Sequence, residues 1–163
     1  MRALECGATH ILMLDSDVIP PHDAVLRLLA HKLPIVSGMY CRRSPPHGVP
    51  VMIKDGKWIT DFKPGSLIEV DVVGAGCLLI SCDVLRALPP QRPECGAHWF
   101  DWRVDMQGIL PPGECLSEDF TFNTHCRKHG YKTYVDTSIL CRHVGTAQAT
   151  YGKFEPLESM AVT

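Results

Sequence analysis

Between Thr9 and Tyr40 the chain changes its hydrophobic period twice, and this constrains the fold more than any other stretch. Thr9-His10-Ile11-Leu12-Met13-Leu14 is a short apolar run ending on Asp15, the pattern of a buried strand that runs to the edge of a sheet. Pro20-Pro21, Asp23 and the spacing of Val25, Leu28, Leu29 and Leu33 predict a helix with one apolar face, stopped by Pro34. Pro34 to Tyr40 then has the composition of a second buried strand. A strand, a helix and a strand in succession imply a parallel pair joined by a right-handed crossover, and hence an α/β fold.

The rest of the chain extends that plan. Residues 41–66 are dense in Pro, Gly and charge and predict a loop and hairpin with Asp55-Gly56 as the turn. Ile68, Val70 and Val72 alternate with acids as a half-buried strand; Gly74-Ala75-Gly76 leads into the fully apolar Cys77-Leu78-Leu79-Ile80. Ser81 to Leu88 reads as a short helix capped by Ser81 or Asp83 and ended by Pro89-Pro90. Pro89 to Cys115 reads as an irregular loop bearing Trp99, Phe100 and Trp102, and long structured loops tend to be functional. A helix opens at Ser117-Glu118-Asp119 and closes at Gly130, followed by strands at Tyr131 to Asp136 and Ile139 to Val144. Residues 1–146 are expected as one domain, and 147–163 as a tail without a clear period.

Composition narrows the function. The 163 residues are 45% hydrophobic, enough for a buried core that needs no metal or disulfide to hold it. With 18 acids against 16 bases and no Lys/Arg run, nothing resembles a phosphate-neutralising nucleic-acid surface. The longest run without charge, Val72 to Cys82, is too short for a membrane span of about 20 residues. Eight cysteines without a Cys-x-x-Cys pair suit buried thiols in a soluble cytoplasmic protein; a Cys95–Cys115 pairing or metal site is the minor alternative.

Three groups of residues could carry chemistry. In an extended segment Asp15 and Asp17 point the same way, and two converging carboxylates favour a divalent ion, Mg²⁺ or Mn²⁺ over Zn²⁺. The alternative has Asp17 capping the helix and Asp15 solvated at a strand end. Glu118 and Asp119, in the first turn of a helix, are either capping acids or an ionised weak base that accepts a proton late in a reaction. His143, ending an apolar strand before Val144-Gly145, is a rim histidine or, in company, a ligand. Gly74-Ala75-Gly76 lets something approach the backbone closely. Trp99 and Trp102 either stack on a sugar face or pack beneath their loop.

Taken in order, Asp15-Ser16-Asp17 after its apolar strand, Pro20-Pro21 with its helix, Gly74-Ala75-Gly76, Ser117-Glu118-Asp119-Phe120 and Cys141-Arg142-His143-Val144-Gly145 resemble the GT-A fold glycosyltransferases of the family 2-like kind. The resemblance implies a three-layer, mostly parallel sheet with a small antiparallel addition. It implies that Asp15, Asp17 and His143 hold Mn²⁺ or Mg²⁺ on the diphosphate of a UDP- or GDP-type sugar donor. Ser16 and Gly74 to Gly76 would line the donor and acceptor pocket, with Trp99 and Trp102 receiving the acceptor. Asp119, beside Glu118, would deprotonate the acceptor hydroxyl with inversion. Only 14 residues precede Asp15, where the family carries further nucleotide-binding strands, so an N-terminally truncated fold with a bare sheet edge open to self-association is expected. The alternatives are a haloacid-dehalogenase-like phosphatase, with Asp15 as nucleophile, and a non-catalytic binding domain.

Overall fold

A computed structural model of the chain describes residues 2–43, 48–89, 99–100, 117–145, 147–150 and 153–156. One helical turn, α1 (Arg2–Glu5), precedes β1 (His10–Leu14), and after a turn come β2 (Val18–Ile19), α2 (Ala24–Ala30) and β3 (Ile35–Met39). Only Ala24 and Leu28 of α2 are buried, one turn apart against the sheet. Val25, Leu26 and Leu29 remain exposed, so the predicted apolar face is narrower than its spacing suggests.

The Asp55-Gly56 turn joins β4 (Met52–Lys54) to β5 (Lys57–Trp58). Both turn residues have positive φ, 50° and 71°, as a two-residue hairpin turn matched to strand twist requires. The strand expected through Val72 instead splits at Asp71 into β6 (Leu67–Val70) and β7 (Val72–Val73), which join different sheets. Asp71 is occupied at this break: its carboxylate accepts the Asp55 N–H at 2.7 Å and pairs with Arg127 at 3.1 Å.

Beyond the glycine segment run β8 (Cys77–Ser81), α3 (Cys82–Ala87), α4 (Glu118–Lys128), β9 (Thr133–Leu140) and β10 (Arg142–Val144). The Ser81 hydroxyl caps α3, and Gly130, at φ 83°, lets the chain leave α4. The residues expected as a tail contain β11 (Ala147–Thr150) and β12 (Lys153–Pro156), an antiparallel pair that extends from β10.

Among the described residues three sheets result, with strand orders β1-β8-β3-β9-β6, β12-β11-β10-β2 and β5-β4-β7. Successive residues of the central strands face opposite sides. Ile35, Leu78 and Ile80 pack with Val84, Leu85 and Phe122, whereas Val36, Cys77 and Leu79 pack with Ala24, Leu28 and Ile139. Each large aliphatic or aromatic side chain so buried contributes roughly 1.5–3 kcal/mol.

The expected three-layer, mostly parallel GT-A sheet is overturned by this pairing. Among the described strands, β3 with β9 is the parallel pair, and the other pairings are antiparallel. The predicted crossover unit exists in that β1 and β3 run the same way. However, β8 lies between them, antiparallel to both. A fully apolar run such as Cys77-Leu78-Leu79-Ile80 reports burial on two faces and says nothing about direction, so the sheet's sense was invisible in the hydrophobic pattern. No helix among the described residues is long and apolar enough to cross a membrane.

Candidate functional site

Backbone pairing brings residues 17–19 and 142–144 together. β10 lies antiparallel to β2 with His143 opposite Val18, and the Val144 N–H donates to the Asp17 carbonyl at 2.8 Å. Asp15-Ser16-Asp17 is not extended as expected. It forms a turn closed by the Val18 N–H on the Asp15 carbonyl at 3.1 Å. The turn still brings Asp17 to the histidine, with Asp17 Oδ2 lying 3.5 Å from His143 Nε2. The other ring nitrogen, Nδ1, donates to the Cys41 carbonyl at 2.8 Å, which fixes the tautomer and turns the Nε2 lone pair toward Asp17. The Arg43 guanidinium forms an ion pair with the same Asp17 oxygen. Asp15, Tyr40, Arg42, Arg43, Val51 and His143 line an open cleft of about 290 Å³. Ser16 is exposed on the turn.

Tyr40, at the end of β3, joins this cleft to the glycine segment. Its ring meets His143 edge-on, with centroids 5.5 Å apart, and its hydroxyl accepts the Gly76 N–H at 3.0 Å. A Cβ at Gly74 would overlap that hydroxyl, and one at Gly76 would fall 2.8 Å from Tyr40 Cζ and 3.0 Å from Val18. The glycines therefore admit the tyrosine ring, which is the close approach that their small size implied. Burial raises the Tyr40 phenol well above its ordinary value against the pull of the Gly76 amide, and the charges of Asp119 and Asp15 push it the same way. The hydroxyl thus stays protonated.

Asp119 is fastened to the neighbouring amide. Its Oδ2 accepts the Ala75 N–H at 3.1 Å; Oδ1 accepts the Phe120 N–H at 2.8 Å and the Ser117 hydroxyl. Burial pushes the carboxyl up to about 6, against the hold of the Ala75 and Phe120 amides and with Glu118 adding in the upward direction. The helix-terminal field expected to keep it a weak base is outweighed by desolvation. Glu118 has a buried Oε2 with no hydrogen-bond partner among the described residues. Trp99 packs against the core, and its neighbour Phe100 stacks on Phe122 at 4.4 Å between ring centroids. Trp102 lies outside the described residues, as do Cys95 and Cys115.

The expected divalent ion meets a poor fit in this arrangement. Asp17 and His143 supply two donors, but Arg43 already sits on the Asp17 carboxylate. Among the described residues no group of three His, Cys, Asp or Glu side chains gathers closely enough to hold a metal.

Sequence reasoning missed Tyr40 and Arg43. The available signal was their place: an aromatic and a basic pair, Arg42-Arg43, directly after a fully buried strand, where side chains leave the sheet.

No protein-family model and no curated protein matches the chain. Among solved structures it is similar to A197 from STIV, with a TM-score of 0.63 and 16% identity, covering 100% of this chain and 73% of that one. At that identity the likeness shows a shared fold and nothing about activity.

Proposed function

We propose that this chain carries a glycosyl-transfer site, moving a sugar from a UDP- or GDP-type donor to an acceptor hydroxyl. One observation carries the reading. The Tyr40 hydroxyl and the Asp119 carboxylate hang on the adjacent amides of Gly76 and Ala75, so the cleft opening and a half-buried base share one backbone turn. The donor diphosphate would lie in the cleft lined by Asp15, Tyr40, Arg42, Arg43, Val51 and His143, on its arginine side. As the bond from the anomeric carbon to the phosphate oxygen breaks, its electron pair leaves with the nucleoside diphosphate. The cationic and hydroxyl donors of the cleft are suited to that growing charge.

The acceptor alcohol is far too weak an acid to ionise beforehand. Asp119, titrating at about 6, is ionised at neutral pH and still basic enough to take the hydroxyl proton as the new carbon–oxygen bond forms. A single base and one displacement give inversion. The phosphatase alternative assigns no part to His143, Tyr40 or Asp119.

The test is release of nucleoside diphosphate from a panel of UDP- and GDP-sugars with simple alcohol and sugar acceptors. Turnover by the wild type and a loss of about 10²-fold or more in Asp119→Asn support the reading. Turnover unchanged in Asp119→Asn, or none with any donor, contradicts it.

A further inference from the structure

The geometry points to Arg43 as the group that supplies positive charge to the donor diphosphate in this cleft, in the place where a divalent ion was expected; the inference rests on the glycosyl-transfer reading. Arg43 is half exposed, lines the cleft and is anchored through one guanidinium nitrogen on Asp17. A guanidinium carries five N–H donors in a planar fork, so one anchor leaves the remainder for phosphate oxygens, a geometry that suits this group better than an ammonium. Asp17 becomes a positioning residue in this arrangement. Its carboxylate pairs with the guanidinium and lies 3.5 Å from Nε2 of His143, whose own orientation is set by the Cys41 carbonyl.

Gly145 provides a second and independent observation. A Cβ there would fall 2.6 Å from Arg43 Cδ and 3.2 Å from Cγ. Gly145 is not among the glycines with positive φ, so its backbone does not require glycine. The stem of Arg43 crosses the chain at that point, so a side chain at position 145 would have to displace it. The glycine that ends the His-Val-Gly sequence is thus the seat of the arginine. Arg42 has a different station, with its guanidinium 5.0 Å above the Trp58 ring.

Calorimetric titration of UDP and GDP into the full chain, in EDTA and in Mn²⁺, tests the assignment. Binding in EDTA, an affinity in Mn²⁺ within about twofold of it, and a loss of about tenfold or more in Arg43→Ala are expected. Gly145→Ala, which keeps the arginine but fills its seat, should weaken binding in the same direction, and Arg43→Lys should restore only part of it. Because Arg43 is exposed, the variants are checked by their melting transitions. Binding that appears only with Mn²⁺, or an Arg43→Ala variant that binds as the wild type does, overturns the role of Arg43 and leaves the glycosyl-transfer reading standing. Failure of both nucleotides to bind the wild type in either buffer overturns both.

Discussion

At the scale of single residues, Asp119 decides the pH behaviour. Its carboxyl in the fold titrates at about 6, above the ~3.9 of an unperturbed aspartate, so the folded state favours the protonated form. That contribution is fully present below about pH 4 and is lost as pH rises through 6, for a total of about 3 kcal/mol. Asp119→Asn should therefore gain stability relative to the wild type between pH 4 and pH 7 in urea unfolding. An identical difference at the two pH values would contradict the desolvated carboxyl. The proposed sugar transfer would run the opposite way, because only an ionised base accepts a proton; it should fall as pH drops below about 6. Tyr40 and Gly74 form a coupled pair. Gly74→Ala forces a methyl onto the Tyr40 hydroxyl and should cost ~1–3 kcal/mol. Tyr40→Phe strands the buried Gly76 N–H at a similar ~1–3 kcal/mol. Since removing the hydroxyl makes room for the methyl, the double variant should lose less than the sum of the two in thermal denaturation; strict additivity would argue against the contact.

At the scale of elements, Asp71 illustrates what local pattern hides. Alternation from Ile68 to Val72 reads as one strand, yet the carboxylate in its middle serves the Asp55 amide and Arg127, and the strand divides there. Asp71→Ala should destabilise the fold by ~1–3 kcal/mol, seen as a lower urea midpoint with unchanged slope, by leaving the Asp55 amide without its acceptor. Elements governed by local chemistry were legible: β1, β3, the Asp55-Gly56 hairpin, the Ser81 cap and the Gly130 stop each follow from residues within a few positions. The site was legible in part. Asp17 and His143 do approach, but through strand pairing of β2 with β10 rather than through the extended Asp-Ser-Asp that the spacing suggested. Tyr40 and Arg43 reach the cleft only because β3 delivers them to segments distant in the chain, and no local pattern reports that.

At the scale of the whole molecule, the direction of β8 separates expectation from structure. Lying antiparallel between β1 and β3, it carries Gly74 to Gly76 to the end of the sheet where Asp15 begins its turn, and the Asp15 N–H donates to the Gly76 carbonyl at 3.2 Å. The meeting of the five-stranded sheet with β2 and β10 therefore builds the cleft, and four segments spread over most of the chain become neighbours there. Amide hydrogen exchange of the full chain with and without saturating UDP or GDP tests this most directly. Joint protection of residues 15–18, 40–43, 74–76 and 143–145 is the predicted result. Protection confined to another surface, such as the Glu69 and Lys132 side of the sheet, or limited to one of these four segments, would contradict a single shared site.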